Sequence, residues 1–274
     1  MRRDTLVAVV VSDRVSAYQR VVDALGTRLN HVAVFAVDGD ARKAHTIIAK
    51  LREQPDVPII AIGSLAARAA AAVSDRPVVF CQDFDLDYRR PAGTMYGVRA
   101  SPPAMKQLQA WKKLDPRLRY VVLISGTGLG EFVREARAAA RESGVRLEHI
   151  EVQSDRELLY AAKRLEANVQ GLWFAPDNRV LSAEVLREVL AHSVRQGKQA
   201  LVFSSQLLGY GALVSVESDP EDVAERALEQ LAAADRAGAP RVLPVSRVRV
   251  EINAEVAVQL GLTVPRAMQG VYVF

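Results

Sequence analysis

The chain alternates short, uninterrupted apolar runs with stretches whose apolar positions recur three or four residues apart. Residues 6–11 (Leu6, Val7, Ala8, Val9, Val10, Val11) are apolar throughout, as a strand buried on both faces of a parallel sheet must be. The run stops at Ser12 and Asp13, and residues 15–29 read as a helix. Runs at 31–37, 58–62 and 77–81 predict three more strands. Between them, Ala44, Ile47, Ile48 and Leu51 fall on one helical face, with Lys43, Lys50, Arg52 and Glu53 elsewhere. Gly63 and Ser64 open an alanine-rich helix to about residue 73. Residues 95–98 predict a short strand, and Pro102 and Pro103 the entry to a helix, since proline is tolerated in a first turn. Strands alternating with helices of this length predict an α/β fold with a parallel sheet.

The second half repeats the arrangement. Residues 120–124 read as a strand ending at Ser125 and Thr127, followed by a helix, strand 146–152, a helix, strand 172–175, a helix and strand 199–203. Ser12 and Ser125 lie 113 residues apart, Asp40 and Asp155 lie 115 apart, and Gly63 and Pro176 lie 113 apart. Near-constant spacing at three strand ends predicts two Rossmann-like lobes. Beyond them, residues 213–216 read as a strand, 220–234 as a helix and 236–240 as a loop. Residues 245–252 alternate apolar and polar positions, as an exposed or edge strand does, and 253–261 form a short helix ended by Gly261. A tail that follows two complete lobes predicts a multi-strand hinge. The expected division is residues 1–98 with 211–245 in an N-terminal lobe and 99–210 with 246–274 in a C-terminal lobe, with a ligand cleft between them.

Composition supports two cores: 274 residues, half of them hydrophobic, suffice for two domains of ordinary size. A net charge of +4 from 36 basic and 32 acidic residues, without a basic and aromatic track, argues against a nucleic-acid partner. The single cysteine, Cys81, lies in a predicted buried strand and excludes an internal disulfide. No apolar stretch approaches the roughly 20 residues that cross a bilayer, so direct membrane insertion is not expected. The run at residue 6 is too short for the apolar region of a signal peptide and lacks a small-residue cleavage site after it. His31, His45, His149 and His192 show no metal-ligand spacing. No metal or cofactor is expected.

In open parallel sheets, ligands bind beyond the carboxyl ends of the strands. The residues there are Ser12, Asp13, Gly63, Ser64, Gln82 and Asp83 in the first half, and Ser125, Thr127, Asp177, Asn178, Ser204 and Ser205 in the second. Asp177 and Asn178 follow the break at Pro176, where a strand end meets a helix N-terminus and leaves backbone N–H groups unpaired. This set of hydroxyls, amides and carboxylates suits hydrogen bonding to a small zwitterion or polyol; it holds no catalytic combination. Other roles stand beside these: Ser12 and Ser64 as helix caps, Asp177 and Asn178 as a turn after Pro176, and Trp173 in mid-strand as core packing.

Several stretches resemble the substrate-binding proteins of ABC importers, in the group that includes tryptophan- and other aromatic-amino-acid-binding members. They are Val9 to Asp13 with Tyr18 and Gln19, Gly63 to Ala67, Pro77 to Phe80, Trp173 to Asn178, Gly211 to Leu213, Ile252 with Asn253, and Leu260 to Pro265. The resemblance implies a periplasmic-binding type I fold that captures a small polar ligand, an amino acid or similar, by lobe closure. It implies an ABC permease as partner, no enzymatic activity and, for an exported monomer, a periplasmic or extracytoplasmic location; a chain used as written would be cytoplasmic. By the same likeness, Ser64 and the N–H groups after Gly63 would hold a carboxylate, Asp177 and Asn178 an amine or hydroxyl, and Ser12 and residues 125–127 would complete the shell. The chain departs from the family pattern at Asp85 and Leu86, where many members carry Asp-Pro, and at residues 218–223.

Two rival readings remain. Gly126, Gly128 and Gly130 follow a strand and open a helix, as in a dinucleotide-binding enzyme, but Glu131 stands where the last glycine of that motif belongs. A stand-alone ligand-sensing domain partnering a signalling protein uses the same two-lobed fold, and only five residues precede Leu6, too few for a DNA-reading helix-turn-helix.

Overall fold

A computed structural model of the chain describes residues 5–84, 95–176, 182–234 and 240–273. In chain order the elements are β1 (Val7–Val11), α1 (Ser16–Gly26), β2 (Val32–Ala36), α2 (Ala41–Arg52), β3 (Ile59–Ile62), α3 (Ser64–Ala70), β4 (Val78–Cys81) and β5 (Met95–Val98). There follow α4 (Ala104–Leu114), β6 (Tyr120–Ser125), α5 (Gly130–Glu142), β7 (Arg146–Glu151), α6 (Asp155–Lys163), β8 (Gly171–Phe174), α7 (Ala183–Arg195), β9 (Gln199–Val202) and a 3-10 helix at Ser205–Tyr210. The chain continues with β10 (Val214–Ser218), α8 (Pro220–Ala233), β11 (Val242–Leu243), β12 (Val248–Ile252), α9 (Ala254–Gln259) and β13 (Val271–Val273). Local chemistry explains several helix starts. Asp40, Ser154, Ser182, Asp219 and Asn253 each cap a helix by accepting a backbone N–H in its first turn.

The chain forms two compact units, Met1–Ser101 with Ser218–Ser246, and Pro102–Glu217 with Arg247–Phe274. The first contains a six-stranded sheet in the order β11-β5-β4-β3-β1-β2. Alternate residues of β1 serve opposite faces. Val7, Val9 and Val11 join α1 and α8 residues such as Leu25 and Val223, while Ala8 and Val10 join Ile48 of α2 and Ala66 of α3. Helices cover both faces, so no residue of β1 can be polar.

The second unit contains a seven-stranded sheet, β13-β12-β10-β9-β8-β6-β7. Val121 and Leu123 pack with α4 and α5, and Val122 and Ile124 with α6 and α7. The order β2-β1-β3-β4-β5 recurs as β7-β6-β8-β9-β10, the topological counterpart of the 113-residue spacing.

Two expectations change. The lobe boundary expected at residue 211 placed the strand after it in the first lobe; β10 instead pairs with β9, Val214 opposite Leu201, and extends the second sheet. The alternating segment expected as an exposed or edge strand, β12, lies between β10 and β13, because the antiparallel β13 adds outside it. Its alternation reflects burial of Val248 and Val250 on one face. Trp173 is fully buried, edge-on to Phe132 with centroids 5.7 Å apart, and donates its indole N–H to Gln107 at 2.9 Å.

Candidate functional site

In the first unit β1, β3 and β4 are neighbours in register, Val11 opposite Ile62 and Ile62 opposite Cys81. Ser12, Gly63 and Gln82 therefore leave the sheet together at its carboxyl edge. The ladder runs one step further through Ser12 N–H to Ile62 C=O (2.9 Å) and Gly63 N–H to Cys81 C=O (3.0 Å). Gly63 has φ +86° and ψ 169°, a conformation essentially restricted to glycine. A Cβ there would lie 2.7 Å from the Ser12 hydroxyl oxygen and 2.8 Å from that of Tyr18.

Side chains then knit this edge. Ser12 Oγ accepts the Ala66 N–H at 2.9 Å, so a strand-end serine caps α3 from 54 residues away. Ser64 Oγ donates to Asp83 Oδ1 at 2.6 Å, and Asp83 is only 1% exposed. Gln82, with φ +55°, turns the chain out of β4 and is itself buried. Ser12, Gly63, Ser64 and Asp83 thus form one cluster. Asp13 does not join it; it is exposed and accepts the Arg14 N–H at 2.7 Å. Beside it, hydrogen bonds from Arg14 (2.7 Å) and then Lys43 (2.5 Å) lower the exposed Asp38 carboxyl to about 2. Cys81 lies in the strand beneath; burial, aided by the negative Asp83, pushes its thiol up to about 12.

In the second unit the strand-end residues disperse. Ser125 is fully buried and its Oγ lies 3.0 Å from Gly126 O and 2.9 Å from His149 Nε2. Thr127 is exposed in the turn before α5, and Gly128 there has φ +85°. Asp177 and Asn178, like Asp85 and Leu86, lie outside the described residues. Beyond that segment, the Ser182 side chain and then its N–H, which donates to Asp155 at 3.0 Å, hold the Asp155 carboxyl below the usual range. Ser204 is half-buried at the head of the 3-10 helix and caps it with no side-chain bond. Ser205 N–H donates to Glu217, which also accepts Ser215 Oγ at 3.2 Å.

Sequence reasoning missed His149 and Glu217. Glu217 was detectable as a carboxylate interrupting the buried pattern of β10, level with Ser204 once Ser215 is set opposite Val202. His149 carried no signal, because its link to Ser125 depends on the β6–β7 register. Gly126 and Gly128 do lie between a strand and a helix and Gly130 opens the helix, with Glu131 in the first turn of α5. Among the described residues no cluster of three or more His, Cys, Asp or Glu could hold a metal ion, and no helix is long and apolar enough to cross a membrane.

Two α/β units of the same strand order, each with its carboxyl edge lined by polar residues, define a periplasmic-binding protein of type I. The family model described as ABC transporter substrate binding protein matches residues 26–269, and the chain belongs to that family. No curated protein matches it. Among solved structures, a ligand-free, open substrate binding protein with adhesive properties from Clostridium difficile is 15% identical, with a TM-score of 0.77 over 98% of each chain. An ABC domain in complex with L-Trp from Streptococcus pneumoniae is 21% identical, with a TM-score of 0.65 over 97% of each chain. The transcription regulator CcpA of Lactococcus lactis is 16% identical, with a TM-score of 0.57 over 99% of this chain and 97% of its own. These identities carry the fold alone. Family membership makes the protein a solute-binding component of ABC transporter type, a class that works outside the cytoplasm on small molecules with a permease partner.

Proposed function

We propose that the protein captures an amino acid or a similarly small polar ligand for import, and that the strand-end residues provide its hydrogen bonds. The observation that carries this reading is the Ser12, Gly63, Ser64 and Asp83 cluster: polar groups fixed by one another at a carboxyl edge. The L-Trp bound by the streptococcal relative supports the amino-acid class.

The polarity of binding differs from what family resemblance implies. Ser64 already gives its proton to a carboxylate and the Ala66 amide is taken by Ser12. A second anion beside Asp83 would meet a carboxylate already in place. The first unit therefore receives the ammonium or a hydroxyl of the ligand. In this proposal Gln82 and Asp13 flank that end, and the second unit's candidate ligand residues are Ser125, Thr127, Asp177, Asn178 and Ser204.

Thermal unfolding against a panel of amino acids, polyols and small anions tests the reading. A bound compound at a hundredfold excess over its dissociation constant adds about 2.7 kcal/mol. Zwitterionic amino acids, L-tryptophan included, should raise the melting temperature, and Asp83→Asn or Ser64→Ala should reduce the shift. A panel in which only anions stabilise would overturn the assignment of the first unit.

A further inference from the structure

The strands β7, β6, β8, β9 and β10 run parallel, so all five enter the second sheet at one edge, opposite the carboxyl edge. Two neighbouring links reach that amino edge: residues 112–120 carry α4 into β6, and residues 141–146 carry α5 into β7. They hold six cations, Lys112, Lys113, Arg117, Arg119, Arg141 and Arg146, against two carboxylates, Asp115 and Glu142. The excess is as large as the net charge of +4 on the whole chain. The remaining sequence is balanced, and the charge collects here.

Hydrogen bonds join the links into one surface. Arg146 N–H donates to Arg119 C=O at 2.7 Å, and Lys112 Nζ reaches Ser143 C=O at 2.9 Å. Gln170, at the entry to β8, accepts the Arg119 N–H at 2.6 Å and donates to Arg117 C=O at 3.1 Å. All six cations except the half-buried Lys112 are exposed. Neutral groups hold several of them: Arg119 donates to Pro116 and Leu118 C=O at 2.8 and 3.0 Å, and the Arg146 guanidinium lies 4.2 Å from the centre of the Tyr120 ring. Carbonyls and a ring orient a cation without cancelling its charge. Asp115 is buried and bound to Gln199; it lies 3.7 Å from Arg117, whose side chain is 80% exposed. The corresponding link of the first unit, α1 to β2, has one arginine, Arg28, and Glu221 pairs with it. Helix dipoles account for Lys112, Lys113 and Arg141, which lie in last turns. Arg117, Arg119 and Arg146 lie past the helix ends, where that stabilisation has faded.

We propose that this edge seats the protein, reversibly and without insertion, on the anionic phospholipid headgroups of the membrane that holds its permease. The permease follows from family membership; the choice of lipid follows from the surface. Among the described residues, none of the exposed large hydrophobic side chains lies in either link. The edge therefore lacks the apolar or aromatic anchors on which protein interfaces depend. A headgroup layer needs no anchor, and each basic side chain near it strengthens attachment about fivefold. Seated this way, the second sheet keeps its carboxyl edge turned away from the lipid.

Cosedimentation of the ligand-free whole chain with lipid vesicles tests this whatever solute the protein carries. Vesicles of phosphatidylcholine mixed with phosphatidylglycerol should retain it, phosphatidylcholine alone should not, and added NaCl should release it by screening. The variant Arg117→Ser with Arg119→Ser and Arg146→Ser should bind about a hundredfold more weakly, at about fivefold per cation. Arg42, Lys50 and Arg266 are also exposed; Arg42→Ser with Lys50→Ser and Arg266→Ser changes the net charge equally and should stay within about twofold of the native affinity. Arg117→Lys with Arg119→Lys and Arg146→Lys keeps the charge and should bind as the native protein does, even where the serine variant melts lower. Equal retention by both vesicle types, equal losses in the two serine variants, or a lysine variant that no longer binds would each overturn the proposal. So would release by inorganic phosphate at constant ionic strength, the mark of a phosphate site, or binding only to membranes that contain the permease, the mark of a protein partner.

Discussion

Replacing Gly63 by alanine tests the packing of the first unit's edge. The added Cβ meets Ser12 Oγ at 2.7 Å, Tyr18 hydroxyl at 2.8 Å and Ser12 Cβ at 2.9 Å, all closer than real Cβ contacts allow. The two Ser12 atoms cannot retreat cheaply. Ser12 is held through its backbone N–H to Ile62 and its hydroxyl to Ala66, while Gly63 is tied by its own N–H to Cys81. Backbone strain in this region costs an L-residue about 1–3 kcal/mol, and overpacking about 1–3 kcal/mol more. Together they amount to roughly 2–6 kcal/mol, or a melting point lower by about 4–24 °C at about 2–4 °C per kcal/mol. Gly39 is the control: its φ is also positive, at +75°, but nothing lies within 4 Å of its Cβ position. Gly39→Ala should therefore cost only the left-handed penalty, about 1–2 kcal/mol. Circular dichroism melts of the two variants decide the matter. A Gly63→Ala protein that melts no lower than Gly39→Ala would refute the steric reasoning.

Three further outcomes follow from buried groups. Gln199 accepts the Trp111 indole N–H and donates to Asp115, both at 2.6 Å; Gln199→Leu strands both and should cost about 2–5 kcal/mol, read as a lower urea midpoint at unchanged slope. Cys81, buried with its thiol near 12, should resist iodoacetamide at pH 8 in the native protein and react once unfolded; native-state labelling would contradict its burial. Since burial depresses the His149 pKa, the unfolded chain binds its proton first. Its contribution to stability is intact above the ordinary value of about 6.5 and is lost as pH falls through that value towards the lower folded one, so His149→Gln should flatten the stability profile in that window.

The sheets were legible because burial on both faces leaves a continuous apolar signature, as in β1 and β6. Two-residue β11, three-residue β13 and the 3-10 helix at Ser205–Tyr210 were not, being too short to show a period. The position of β12 was misjudged because one-sided burial produces the same alternation inside a sheet as at its edge. The site was half legible. Strand ends name the residues that reach the edge, but their hydrogen-bond partners come from other elements: Ser12 with Ala66, Ser64 with Asp83, Ser125 with His149. Only pairing register brings those together, and register is a tertiary property.

The repeats also exchange a helix. After five strands in the first sheet, α4 joins the second unit and packs on α5; after β10 in the second sheet, α8 joins the first and packs on α1. Val223, Ala224 and Ala227 of α8 complete the cluster that buries Val7, Val9 and Val11, so residues 1–101 do not hold a whole core. A unit assembled from separated pieces must fix where each piece enters, since chain continuity does not. The first unit does so beside its crossings. Ser218 Oγ donates to Ala100 C=O at 2.7 Å, and the buried Asp222 carboxylate accepts both the N–H (2.5 Å) and the hydroxyl (2.6 Å) of Ser246. Ala100, Ser218 and Ser246 lie within two residues of the three points where the chain changes unit. Buried polar residues concentrated there are what discontinuity demands: apolar burial sets that the helix packs, and directional hydrogen bonds set where it starts.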